Sequence, residues 1–67
     1  MLLKAIISSV DVSKNTAQLI LPECDDAVTG DIPFYKDIVT EKNKSDYIGK
    51  FVVFAVFSTD LNDGVIL

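Results

Sequence analysis

The 67-residue chain has no histidine, no arginine, no tryptophan and a single cysteine, Cys24. Each gap removes a class of chemistry. Without histidine, neither Cys24 nor the serines Ser8, Ser9, Ser13, Ser45 and Ser58 has the base that usually activates such a nucleophile. Nothing in the spacing favours a Ser-Lys pair, so no catalytic residue is assigned and the chain is read as non-enzymatic. A lone cysteine forms no internal disulfide, and without a second cysteine or a histidine there is no zinc set. Six scattered lysines with no arginine make no basic stripe, and the formal net charge is −4. That balance argues against a phosphate backbone and against an anionic membrane surface. There is no glycine-rich phosphate loop. The longest unbroken apolar run, Phe51 to Phe57, is far shorter than the roughly 20 residues needed to span a bilayer. The opening Leu2-Leu3-Lys4-Ala5-Ile6-Ile7 is too short for a signal peptide and is interrupted by Lys4. It reads as a first strand, and the chain is expected to be made and kept in the cytoplasm.

What is present is apolar. Hydrophobic residues make up 49% of the chain, a high share for so small a soluble domain. A domain of about 60 residues buries only roughly 60% of the surface its unfolded chain exposes. Disulfides, a metal or association usually make up the deficit. The first two are excluded by composition, which leaves association.

Residues 51–57, Phe-Val-Val-Phe-Ala-Val-Phe, form a strand by composition, since β-branched and aromatic side chains suit a pleated surface. Alternation places Phe51, Val53, Ala55 and Phe57 on one face and Val52, Phe54 and Val56 on the other. Both faces are apolar. One fills the core of a small domain, and so short a chain has little left to cover the second. If the odd set faces inward, Val52, Phe54, Val56 and, from elsewhere, Tyr35 form the contact surface; the reverse parity stays open.

The rest of the chain supplies further strands. Residues 2–10 make a first strand. Asp11-Val12-Ser13-Lys14-Asn15 has turn chemistry, and Thr16 to Leu21 alternates as the second arm of a hairpin. Pro22 ends that arm. Val28 to Tyr35 is a weaker strand, interrupted by Gly30 and Pro33, with Phe34 and Tyr35 necessarily on opposite faces. The polar segment 36–50 has room for one helical turn, capped by Ser45 or Asp46 and ended by left-handed Gly49. After 51–57, the Asp63-Gly64 pair suits a turn requiring positive φ, and 65–67 closes the chain. The expectation is a single all-β domain over residues 1–67. It is a small five-stranded OB-like or SH3-like barrel with one short helical turn before the fourth strand.

Other candidate sites have simpler readings. Glu23, Asp25, Asp26 and Asp31 lack the ligand spacing of a calcium loop and read as a solvated loop. Asp60-Leu61-Asn62-Asp63-Gly64 superficially matches an EF-hand opening, but its glycine comes one residue early and no glutamate follows. It reads as a turn. No metal or other cofactor is expected. Phe34, Tyr35 and Tyr47 sit among acidic residues Asp31 and Asp37, a poor setting for stacking nucleic-acid bases. Tyr35 and Tyr47 are instead expected half-buried at a subunit contact.

The C-terminal third, Ile48-Gly49-Lys50-Phe51-Val52-Val53-Phe54-Ala55-Val56-Phe57 followed by Asp60-Leu61-Asn62-Asp63-Gly64-Val65-Ile66-Leu67, resembles the OB-fold domain of phage baseplate and tail-spike hub proteins. Thr16-Ala17-Gln18-Leu19-Ile20-Leu21-Pro22 is similar to that family's second strand, which also runs into a proline-containing loop. Lys50 departs from the family, in which an acidic residue commonly follows the glycine. Family members continue into a spike or further domains, whereas this sequence stops at Leu67. The resemblance therefore implies a phage- or prophage-encoded tail accessory subunit. It would be a structural protein, forming a homo-oligomer (a trimer by analogy) alongside other tail proteins, and would end in the virion. The alternative is a small peptide- or ligand-binding β-barrel adaptor, in which an edge such as 28–35 accepts an extended segment by strand addition.

Overall fold

The computed structural model describes residues 1–67. Strand β1 (Leu2–Asp11) and strand β2 (Thr16–Leu21) form the expected hairpin. A 3-10 turn over Pro22–Cys24 follows, then two short strands, β3 (Ala27–Val28) and β4 (Ile32–Pro33). A single helical turn, α1 (Lys44–Tyr47), precedes β5 (Phe51–Val56) and β6 (Gly64–Ile66). The sheet runs β3-β2-β1-β5-β6, with β4 also pairing with β2, and every strand pair in it is antiparallel.

The small all-β fold holds, but the strands number six and the sheet does not close into a barrel. The reason lies in residues 28–35. Gly30 and Pro33 break this stretch, so each of its strands is only two residues long. The far end of the sheet reaches it through one parallel bridge, Phe34 to Ile66, and the Tyr35 amide donating to the Ile66 carbonyl at 2.9 Å. The sheet therefore curls without a continuous ladder at the seam.

The curl begins in β1, which pairs with β2 on one side and β5 on the other. Ile7 pairs with Leu19 and Ser9 with Gln18, leaving Ser8 as an extra residue. Such a bulge bends a strand and strengthens its twist. The Ser8 hydroxyl donates to the Gln18 carbonyl at 3.1 Å. On the other side of Ile7, its carbonyl accepts from the Gly49 amide at 2.7 Å and its amide donates to the Lys50 carbonyl at 3.0 Å. Gly49 has φ +85°, the left-handed conformation expected of it. Helix α1 starts earlier than Ser45 or Asp46 as caps would allow. Asn43 holds the N-cap position, and its side chain ties the preceding turn, accepting from the Thr40 amide at 2.7 Å and donating to the Ile38 carbonyl at 3.0 Å.

Inside the curl, Leu3, Ala5 and Ile7 of β1 meet Ala17, Leu19 and Leu21 of β2, Phe54 and Val56 of β5, and Ile66 of β6. Ile32, Phe34 and Val39 close the open end. Burying each large side chain stabilises the fold by about 1.5–3 kcal/mol. Tyr47 of α1 is half-buried, its ring edge-on to Phe34 at 6.0 Å between centroids.

Candidate interaction face

Register decides which side chains of β5 face outward. Phe54 pairs with Leu3 on one side and Ile66 on the other, both buried. Alternation then turns Phe51, Val53 and Phe57 outward, with exposures of 62%, 44% and 66%. This is the reverse of the parity on which the contact residues were assigned. Phe54 and Val56 are core residues, Val52 is half-buried against the core, and neither Phe54 nor Val56 can meet a partner without unfolding. Tyr35 is exposed, as one of the Phe34–Tyr35 pair had to be, and lies beneath the Lys36 ammonium at 5.1 Å.

The outer surface of the sheet is divided in two. Toward the hairpin turn it follows the usual apolar-in, polar-out pattern, with Ser9, Asp11 and Gln18 outward. The other half is apolar in three successive cross-strand rows. Val28, Ile20, Ile6 and Phe51 form one row across β3, β2, β1 and β5. Lys4 and Val53 form the next, extended to Leu67, whose amide donates to the Val53 carbonyl at 3.0 Å. Leu2, Ala55 and Val65 form the third. An open depression of about 350 Å³ along β1 and β5 is lined by Leu2, Leu3, Lys4, Phe51, Val52 and Val53.

Lys4 is the one charged side chain in these rows. Its ammonium lies 5.7 Å from the Phe51 ring centroid, within cation–π range. The two ion pairs of the chain, Lys14–Asp31 at 3.8 Å and Lys44–Glu41 at 2.9 Å, do not involve it.

The remaining chemistry-bearing residues stay apart. Cys24 is half-buried beside the core. The acidic residues do not gather into a group able to hold a metal ion. Asp25 and Asp26 adopt left-handed backbone conformations, φ 57° and 58°, which account for two turn residues there. In the 58–63 loop the Asn62 amide donates to the Asp60 carboxylate at 2.9 Å. The Asn62 side-chain oxygen accepts from the Gly30 amide at 2.6 Å, so it fastens two loops together. No helix is long and apolar enough to cross a membrane.

Sequence reasoning missed Leu2, Val28 and Leu67 as surface residues. The signal present in the sequence was Lys4, which fixes the outward parity of β1 and, through the β1–β5 register, that of β5. No family model, curated protein or solved structure matches the chain.

Proposed function

We propose that this chain is a non-enzymatic assembly subunit that packs through the apolar half of its outer sheet face. The observation that carries the reading is the three rows that together cross β3, β2, β1, β5 and the C-terminal strand, in which Lys4 is the sole charge. A soluble monomer rarely leaves so continuous an apolar surface in water, and larger exposed patches mark interaction sites. The earlier contact set of Val52, Phe54, Val56 and Tyr35 is replaced by Phe51, Val53, Leu2 and Leu67.

The context we propose is a phage or prophage tail or baseplate, on the resemblance of the C-terminal third to hub OB-fold domains. Strand neighbours support an OB-like reading over an SH3-like one. The first long strand borders both the second and β5, a helical turn precedes β5, and the Phe34 segment meets β6 in parallel. A partly open five-stranded Greek-key arrangement, counting β3 and β4 as one interrupted strand, has these relations.

The reading separates from a monomeric adaptor by a single substitution. Val53→Asp is expected to keep the β-type circular dichroism spectrum while the particle mass in solution falls to that of one chain and the thermal transition moves down as the association is lost. Retention of the assembled mass in a folded Val53→Asp protein refutes the face assignment.

A further inference from the structure

We draw no further inference here: the strongest candidate, the apolar half of the outer sheet face around Phe51 and Val53 with its open depression beside Lys4, belongs to the surface already described, and nothing in the structure shows what covers it.

Discussion

Gly64 is fixed by space rather than by backbone torsion. The Asp63-Gly64 pair suggested a positive-φ turn, yet among the glycines only Gly49 has positive φ. A Cβ on Gly64 would instead collide with the Ala55 carbonyl oxygen and stand 2.6 Å from Phe54 Cε1. Neither neighbour can yield, because Ala55 belongs to the central ladder and Phe54 is fully buried. Gly64→Ala is expected to destabilise by about 1–3 kcal/mol, the usual cost of overpacking, measured by urea unfolding. Asp11 shows the opposite case, a residue whose role is electrostatic and local. Its carboxylate accepts from the Ser13 hydroxyl at 2.7 Å and from the Lys14 amide at 3.3 Å. The Ser13 hydrogen bond, aided by the Lys14 amide and charge, lowers its pKa from the ordinary aspartate value. A carboxylate with a lowered folded-state pKa contributes its stabilisation above the unfolded-state pKa and loses it as pH falls through the folded one. The turn therefore loosens only below the ordinary aspartate range, and Ser13→Ala should raise the Asp11 titration midpoint in a carboxyl-carbon NMR titration.

At the level of elements, the first hairpin and the positions of most strands were legible, whereas the order β3-β2-β1-β5-β6 came only with the fold. The β1–β2 hairpin was readable because Ala17, Leu19 and Leu21 alternate with Thr16, Gln18 and Ile20, turn residues precede them and Pro22 follows at once. Its turn residue Asn15 adopts φ 53°, as turn chemistry allows. Strand β5 was readable as a strand but not as a face, because both of its parities are apolar and only pairing with Leu3 and Ile66 breaks the tie. The 28–35 stretch was readable as weak, but its real anchor was not. Buried Thr29 accepts from the Leu19 amide at 3.0 Å and donates to the Gly30 carbonyl at 2.8 Å, replacing a ladder that the short strands cannot make. A polar side chain standing in for backbone pairing leaves no periodic trace. Thr29→Val keeps the shape and orphans the Leu19 donor, so a loss of about 1–3 kcal/mol in unfolding free energy is expected. Within β5, Phe54→Ala is expected to cost about 3–5 kcal/mol, while Val53→Ala on the outer face should leave unfolding of the isolated chain within about 0.5 kcal/mol.

For the whole molecule, the division of the outer surface is the organising fact. A chain of this size builds one core, and the curl of the sheet uses Phe54, Val56 and Ile66 to fill it. The opposite parity of the same strands was then free to become polar, as it does at Ser9 and Gln18, yet across Leu2, Phe51, Val53, Val65 and Leu67 it stays apolar. That contrast within one sheet is what distinguishes an interaction surface from a generally oily composition. Composition alone pointed to association, because disulfide and zinc stabilisation were excluded, whereas the location of the surface needed the register of three strands. The central claim is that this half-face is covered in the working form of the protein. The most direct measurement is the absolute mass of the unmodified chain by light scattering from about 1 to 100 µM, the range in which a micromolar association declares itself. The account predicts a defined multiple of the 7.3 kDa chain mass, persisting to the lower concentrations. A mass of one chain throughout, with Phe51 and Val53 open to solvent, contradicts it.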